Sequence, residues 1–405
     1  MLSTIKREPY RIFFPLGILI GIYGVSHWLF FALGWIPSYS SFFHASIQIQ
    51  GYMACFIIGF LLTAIPRFAS APHASFTELL SFLILTIGGV IFHSMNQIVF
   101  AEGIFLVWLF AVLGFVVRRF RKKKVNHPPV EFVWIPIGIF HAMVGAFLVI
   151  VSQLKFVPAW LMEVGKPLIL QGFVLSIVLG VGGFLAPRLM GRSEIIQRYD
   201  HDAAQGKQRI KRTLLYLVTG ILLFSSFWIE GLGYKVQAYG LRATVVLFCF
   251  VRNHIFPHPP KVSDGYVRLL AVSIWMIALG YLLLPFFSKY RTALLHLVFL
   301  GGYSLMTFAV ATMVIVSHSG FAPRLKRRLW ALDVVAMGIA VSLILRIGAV
   351  FNPSHYFTML GISSIFWSIT AITWLGCMIP YLGQVPAPDA FERNHEEMKR
   401  RIQNC

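Results

Sequence analysis

Five histidines near the ends of long apolar segments are the residues of this sequence best suited to chemistry. They are His27, His44, His93, His296 and His355. A neutral imidazole presents a nitrogen lone pair that binds haem iron or copper, and membrane helix bundles hold such cofactors between facing helices. No two of these five have a short spacing such as HxxxH, so the ligands of one site would come from different segments. For each histidine alone, a hydrogen-bonded residue at the membrane surface is the common alternative.

Glutamines stand one helical turn from two of these histidines. Gln48 follows His44 by four residues, and Gln97 follows His93 by four residues. Residues four apart lie on the same face of a helix. We therefore predict that Gln48 and Gln97 orient the two imidazoles, as hydrogen-bond partners of metal ligands commonly do.

Two arginines, Arg242 and Arg346, lie within otherwise apolar segments. A guanidinium binds a carboxylate through two parallel hydrogen bonds, so each arginine is a candidate partner for a haem propionate. The alternative for both is a side chain that extends to the lipid headgroups. Charged residues inside membrane segments are costly and mark functional sites by default. Both arginines are therefore candidates for cofactor binding.

The composition places these residues in a membrane protein. The 405 residues are 58% hydrophobic, 15% aromatic and 12% charged, whereas about a quarter of a soluble domain is charged. Uncharged stretches of about 18 residues or more are long enough to cross roughly 30 Å of hydrocarbon. The first apolar stretch has no small-residue cleavage site, which favours a membrane helix over a cleaved signal. We predict an all-α transmembrane domain over 1–381 and a cytoplasmic tail over 382–405.

The apolar segments predict twelve membrane spans. Their limits are near 11–34, 44–66, 76–97, 99–117, 132–153, 167–187, 213–232, 239–256, 266–286, 291–316, 329–350 and 356–381. With these limits the five histidines lie in the outer layer of the membrane. His141 lies nearer the middle.

The net charge of +20 follows the predicted topology. Basic runs fall on alternate loops, with "RRFRKKK" at 118–124, "KQRIKR" at 207–212 and "RLKRR" at 324–328 on one side. An excess of Lys and Arg marks cytoplasmic loops, so both termini are predicted to be cytoplasmic. The charge is therefore explained without nucleic acid, which we exclude as a partner.

One apolar segment is written twice. Residues 50–68 (QGYMACFIIGFLLTAIPRF) and 171–189 (QGFVLSIVLGVGGFLAPRL) share a Gln-Gly start and a Pro-Arg ending. A third ending, FAPRL at 321–325, follows span ten. The endings close spans two, six and ten, which predicts three parallel units of four helices. We interpret Pro-Arg itself as a helix stop at the cytoplasmic face. The residue at the position of the candidate ligand differs among the three units. It is His44 in the first, Gly165 in the second and His296 in the third.

The stretch HASIQIQGYMACFIIGFLLTAIPRF, residues 44–68, resembles the NnrS family of bacterial inner-membrane proteins. The second span of that family starts with His-Ala-His-Glu and ends with Gly-Phe-Leu-Leu-Thr-Ala-x-Pro. Here 59–64 and Pro66 match the ending, and His44 matches the first histidine. GFLAPRLMGR is similar to the sixth-span ending of the family. HLVFLGGYSLMTFAVATMVIVSHSG is similar to its tenth-span pattern, with His296 and His318 at the two histidines.

The resemblance implies a protein of the bacterial inner membrane that contains haem and copper and acts in nitric oxide metabolism or resistance to nitrosative stress. On this basis we expect haem b, and we expect His44 and His296 to be the axial ligands. The candidate metal ligands are His44, His296, His27, His93, His318 and His355. The partners implied are membrane lipid, nitric oxide or a related small ligand, and an electron donor that no motif identifies.

The chain departs from the family pattern at one place. Where the family has its second histidine and its glutamate, this chain has Ser46 and Ile47. If those residues hold copper or move protons in the family, this chain lacks that part or replaces it with His27 or His93. The departure at Ser46 and Ile47 therefore concerns the expected copper and not the expected haem.

Two other functions are compatible with a multi-pass chain. A relative of the haem–copper oxidases would need histidines for copper on spans six and seven, and neither span has one. A secondary transporter would suit the internal repeat, and it predicts charged residues near the bilayer midplane. Glu102, Glu230, Arg242 and Arg346 instead lie toward the predicted outer side.

Overall fold

The computed structural model describes residues 2–121, 128–192, 206–256 and 259–384. Within these ranges all regular secondary structure is helical, which confirms the all-α prediction. A short helix at Leu2–Arg7 precedes twelve long ones. The long helices are α1 (Tyr10–Ala32), α2 (Ser41–Phe68), α3 (Phe76–Ser94), α4 (Ile98–Arg121), α5 (Val130–Gln153), α6 (Trp160–Leu189), α7 (Gly206–Gly231), α8 (Lys235–Arg252), α9 (Gly265–Leu283), α10 (Ser288–His318), α11 (Trp330–Phe351) and α12 (Pro353–Leu382). The predicted tail lies outside the described residues from residue 385 onward.

Eleven of these described helices are long and apolar enough to cross a membrane, so the chain is a multi-pass membrane protein. The twelfth, α8, differs because its 18 residues include Lys235, Arg242 and Arg252. It packs against α7 and α9 and buries Arg242 completely. Mean hydropathy gives a charged residue the same value whether it is paired inside the bundle or exposed to water. For this reason α8 is less apolar by composition than the other eleven helices.

The predicted limits of span six are too short at the start. The helix begins at Trp160, seven residues before the predicted start at 167. The added turns contain Glu163 and Lys166, which form an ion pair of 3.1 Å. Opposite charges three residues apart stabilise a helix, so the helix continues through these polar turns. Apolar length therefore underestimates the length of this helix.

The three helices with the repeated endings form the centre of the bundle. In α2, α6 and α10 between 67% and 78% of the most apolar window is buried, against at most 50% in the other eight candidate spans. Each also contains a π-helical segment near its start, at Ile47–Met53, Leu168–Phe173 and Leu297–Ser304 respectively. Segments of this kind are frequent at functional sites. The sequence repeat thus has a counterpart in the fold.

The interpretation of Pro-Arg as the helix stop requires correction. Pro66 lies inside α2, which continues to Phe68, and Pro187 lies inside α6, which continues to Leu189. The third proline, Pro323, lies beyond α10 in a 3-10 segment, Ala322–Lys326. A proline in the last turn removes one hydrogen bond near the helix end. The proline of the repeat therefore lies in the last turn of α2 and α6 and beyond the end of α10, and it does not itself end these helices.

Close contact of α5 and α6 depends on two glycines. A Cβ atom added to Gly145 would lie 2.8 Å from the carbonyl oxygen of Gly165, and one added to Gly165 would lie 2.8 Å from the carbonyl oxygen of Gly145. Both obstacles are backbone atoms, which cannot move aside as a flexible side chain does. Small residues at such crossings let membrane helices approach closely.

Replacing Gly145 with alanine is expected to destabilise the protein by about 1–3 kcal/mol, the usual cost of overpacking. The matched control is Gly114→Ala on α4, because nothing lies within 4 Å of the added methyl group. That control is expected to be neutral or stabilising by up to about 1 kcal/mol, since alanine favours a helix over glycine. Thermal unfolding in detergent measures both. Equal melting temperatures for the two variants would contradict the close contact.

Candidate functional site

A cavity of about 450 Å³, here called the central cavity, lies among α1, α2, α6, α10, α11 and α12. It is at the end of the bundle where α2, α6 and α10 begin. His44 from α2 and His296 from α10 both line it, and so does Arg346 from α11. The structure thus brings together two histidines and an arginine that are distant in sequence. Its volume lies in the ordinary range for a small-molecule or cofactor site.

His44 is oriented by the backbone of α1. Ser40 caps α2 by accepting a hydrogen bond from the Phe43 amide at 3.1 Å, which starts the helix next to His44. The Nδ1 of His44 lies 2.9 Å from the carbonyl oxygen of Gly24. A carbonyl only accepts, so Nδ1 carries the proton and Nε2 carries the lone pair. No described residue forms a hydrogen bond with that Nε2, which is the arrangement a metal ligand requires.

His296 has the same tautomer for the same reason. Its Nδ1 donates to the carbonyl oxygen of Thr292, one turn earlier in α10, at 2.7 Å. Its Nε2 accepts a hydrogen bond from Nε of Arg346 at 3.2 Å. Both histidines that line the cavity therefore carry an Nε2 lone pair. Both are held by backbone carbonyl groups at the opposite ring nitrogen.

The prediction that Gln48 and Gln97 orient the two imidazoles is wrong. Gln48 donates to the carbonyl oxygen of Gly21 at 2.9 Å, and the carbonyl of Gly24 orients His44 instead. The partner of His93 is Gln50, at 3.2 Å. The prediction failed because spacing on one helix does not reveal the groups that a neighbouring helix presents.

Arg346 is a buried cation without a carboxylate partner among the described residues. Only 7% of the residue is exposed. Its guanidinium donates to His296, and its Nη1 lies 3.5 Å from the Tyr356 hydroxyl. Burial of an unpaired charge is costly, so such groups are normally paired or bind a charged ligand. The guanidinium of Arg346 is therefore a candidate for binding an anion in the cavity.

Arg242, the other candidate for a propionate, is completely buried behind the cavity wall and does not line the cavity. Its Nη2 donates to Glu230 at 2.7 Å, and its Nη1 donates to Gln171 at 2.9 Å. The Nε donates to the Ser226 hydroxyl at 3.2 Å. Glu230 is shared with Arg291, which does line the cavity. The geometry gives Arg242 the role of positioning Gln171 and Glu230.

The charges on the cavity wall are unequal. Lys166, Arg291 and Arg346 line it as cations, and Glu163 lines it as the only carboxylate among the described residues. The Arg242–Glu230 pair behind the wall adds one charge of each sign. The wall therefore has an excess of two positive charges. This excess favours a ligand with two negative charges, since a buried charge is stable when it is compensated.

The other predicted metal ligands do not join this site. His27 accepts a hydrogen bond from the Ser40 amide at 2.7 Å, which occupies its Nε2. His355 is exposed beside Asn352. His318 lies at the opposite end of α10, stacked on Tyr10 with ring centres 5.6 Å apart. The predicted equal depth of His27 and His355 therefore did not bring them into the cavity with His44 and His296.

His93 lies in a second, smaller cavity between α2, α3 and α4, here called the side chamber. Ser46 lines the same chamber, so His93 is the residue that approaches the position of the absent second histidine. His27 does not line it. Across 2–121, 128–192, 206–256 and 259–384, no group of three or more His, Cys, Asp or Glu side chains is arranged to hold a metal ion.

The sequence analysis did not identify Lys166 and Arg291, which both line the central cavity. A signal was present in the repeat: each stands at the start of a central helix, α6 or α10, directly before its apolar run. The described basic residues Arg118, Arg119 and Arg324 lie at the opposite end of the bundle. The prediction that this opposite end is cytoplasmic stays a prediction.

The chain is similar to a known protein family. The model of a protein family described as NnrS protein matches residues 4–385, nearly the whole chain. This range includes all twelve long helices and every residue that lines the central cavity. No curated protein matches the chain.

Proposed function

Since the chain belongs to the NnrS family, we propose that it is a haem-binding membrane protein with a role in the response to nitric oxide. The observation that carries the proposal is the central cavity, in which two imidazole lone pairs and an unpaired buried guanidinium lie together. The bacterial inner membrane is the proposed location, with the cavity toward the outer side.

Haem b fits the donor set of this cavity. The porphyrin is a large apolar ring with two propionate groups, and an apolar wall with two excess positive charges complements both features. Trp28 and Trp367 contribute broad apolar surfaces to the lining. The volume is adequate for a cofactor of this class. A ligand of this shape also explains why Arg346 lacks a carboxylate partner in the described chain.

His44 and His296 would provide Nε2 to the iron from opposite helices. His44 is ready for this role, because its Nδ1 is held by Gly24 and its Nε2 is without a partner. His296 must first lose the hydrogen bond from Arg346, whose guanidinium then becomes available to a propionate. When bound, haem would supply an iron atom that changes oxidation state and that binds a small ligand such as nitric oxide in place of one of the two histidines.

Copper fits less well than haem. A copper site is normally built from three or more nitrogen or sulfur ligands, and the described residues contain no such group. His93 approaches Ser46, but its neighbours are Gln50 and Glu102, not further histidines. We therefore do not extend the proposal to copper.

A reduced-minus-oxidised visible spectrum of the detergent-purified protein, with metal analysis, tests the proposal. We expect a Soret band, an α band and iron, without stoichiometric copper. A protein purified from haem-sufficient cells that has neither band would refute the proposal. The secondary-transporter alternative would then be preferred.

Replacing Arg346 with glutamine is expected to weaken haem binding by roughly 10–100-fold, because a hydrogen bond to a charged group contributes about 1.5–3 kcal/mol. Titration of the haem-depleted protein with haem measures this change. The matched control is Arg328→Gln, just before the start of α11, since Arg328 pairs with Asp333 at an exposed position. Equal affinities of the two variants would show that Arg346 does not bind a propionate.

A further inference from the structure

The side chamber has room for one water molecule. Its volume is about 10 Å³, close to the least space that accommodates a single water. Three of its lining residues have buried polar atoms without a hydrogen-bond partner among the described residues. These are the Ser46 hydroxyl, the Thr86 hydroxyl and the Trp108 indole N–H. Each such atom costs about 1–3 kcal/mol when it stays unsatisfied.

The chemistry of these three groups selects the occupant. The Trp108 indole N–H only donates, so its partner must accept a hydrogen bond. A metal cation cannot accept one, whereas water accepts from the indole and also bonds to the hydroxyls of Ser46 and Thr86. Buried waters typically form about three hydrogen bonds of this kind. The chamber is therefore suited to water and not to a cation.

Beside the chamber lies a carboxyl group in an unusual environment. Glu102 of α4 is completely buried. Its Oε1 accepts a hydrogen bond from Gln50 at 2.9 Å, and its Oε2 has no partner among the described residues. No described lysine or arginine forms an ion pair with it. The nearest titratable group is His93 of α3, whose Nε2 lies 3.8 Å from Oε1.

Gln50 joins the two titratable side chains. Its Nε2 donates to Glu102, so its Oε1 is the acceptor that faces Nε2 of His93 at 3.2 Å. His93 and Gln50 both line the side chamber. An ionised carboxylate with one bare oxygen in a buried site is very costly. A proton on Oε2 removes that cost without any change in the hydrogen bond to Gln50.

We propose that Glu102, Gln50 and His93 form a proton-binding site, with one proton on Glu102 that exchanges through a water molecule in the side chamber. Exchange breaks the O–H bond of Glu102 and forms an N–H bond at Nδ1 of His93, because Nε2 of His93 already donates its hydrogen to Gln50. The products are a carboxylate and an imidazolium, so the net charge inside the membrane does not change. The site is separate from the central cavity: Gln48 and Tyr52 of α2 line the cavity, whereas Ser46 and Gln50 line the chamber.

Infrared spectroscopy of the intact detergent-solubilised protein tests this proposal. We expect the C=O stretch of a protonated carboxyl group in the wild type and its loss in Glu102→Gln. The matched control Asp333→Asn, at an exposed ion pair outside both cavities, is expected to retain the band. Glu102→Asp keeps a carboxyl group and is expected to shift the band, which gives the same assignment if the glutamine variant does not fold. Absence of the band in the wild type, or its persistence in Glu102→Gln, overturns the proposal.

Exchange into deuterium oxide tests the role of water separately. The band of the wild type is expected to shift when the buffer is exchanged. In a Ser46→Ala, Thr86→Val variant the shift is expected to be slower, because two of the three hydrogen bonds to the water are lost. An unchanged exchange rate would rule out the side chamber as the route. Neither measurement requires haem, so failure of the haem proposal and failure of this one are distinguishable.

Discussion

Replacing either His44 or His296 with alanine is expected to lower the haem affinity by at least about tenfold. Loss of a hydrogen-bond partner behind a metal-bound histidine already costs about 10–100-fold, and loss of the ligand itself costs more. The haem content per polypeptide after purification, and a titration of the haem-depleted protein, measure the change. A variant that lacks both histidines is expected to bind no haem in a defined spectral form.

The matched control is His355→Ala. This histidine is near the same end of the bundle but is exposed beside Asn352. Its removal is expected to leave the haem content unchanged. If both cavity variants keep the haem content and spectrum of the wild type, the ligand assignment is wrong even if haem is present. A loss of haem in all three variants would indicate unfolding and not ligation.

Replacing Arg242 with alanine is expected to destabilise the protein by about 3–5 kcal/mol, the cost of breaking a buried ion pair by removal of one partner. The substitution leaves Glu230, which is 8% exposed at its side chain, with only Arg291 as a charged partner. It also removes the hydrogen bond to Gln171 at the cavity wall. Thermal unfolding of the purified protein measures the effect, and haem content measures its consequence for the cavity.

The control for Arg242 is Lys166→Ala. Lys166 forms an ion pair with Glu163, whose side chain is 70% exposed, and exposed pairs contribute about 0–1 kcal/mol. An Arg242→Met, Glu230→Gln double variant is expected to lose less stability than the sum of the single losses, because neither charge remains buried alone. Strict additivity would contradict a direct interaction between the two side chains.

The second repeat unit explains why the cavity has two histidines and not three. The position that corresponds to His44 in that unit is Gly165, and Gly165 touches the backbone of Gly145 in α5. A histidine does not fit at this crossing. The next residue, Lys166, lines the cavity instead and adds to its positive charge. The copies of the repeat therefore share a scaffold and supply different groups to one site.

The glutamines of the repeat also have parallel roles. Gln50 in the first unit binds Glu102 of α4, and Gln171 in the second binds Arg242 of α8. In both cases the central helix is tied to the fourth helix of its unit. The sequence marked these glutamines as repeated, but it did not reveal that their partners have opposite charges.

By itself the sequence determined the class of protein, the positions of the twelve long helices with limits mostly within a few residues, and the recurrence of one segment in spans two, six and ten. Apolar length and composition act locally along the chain, so these features can be read from the order of residues. The position of a residue along its helix also depends only on the order of residues. The sequence could therefore place the five histidines toward one end of their helices.

Only the tertiary structure decided which of these residues meet. The position of a side chain around the axis of the bundle depends on how helices pack, and residues from α2, α10 and α11 become neighbours only after packing. For this reason His44, His296 and Arg346 share a cavity while His27, His93 and His355 do not. The unpaired charge of Arg346, the shared Glu230 and the buried carboxyl of Glu102 arise in the same way, because pairing and burial belong to the packed bundle and not to any single helix.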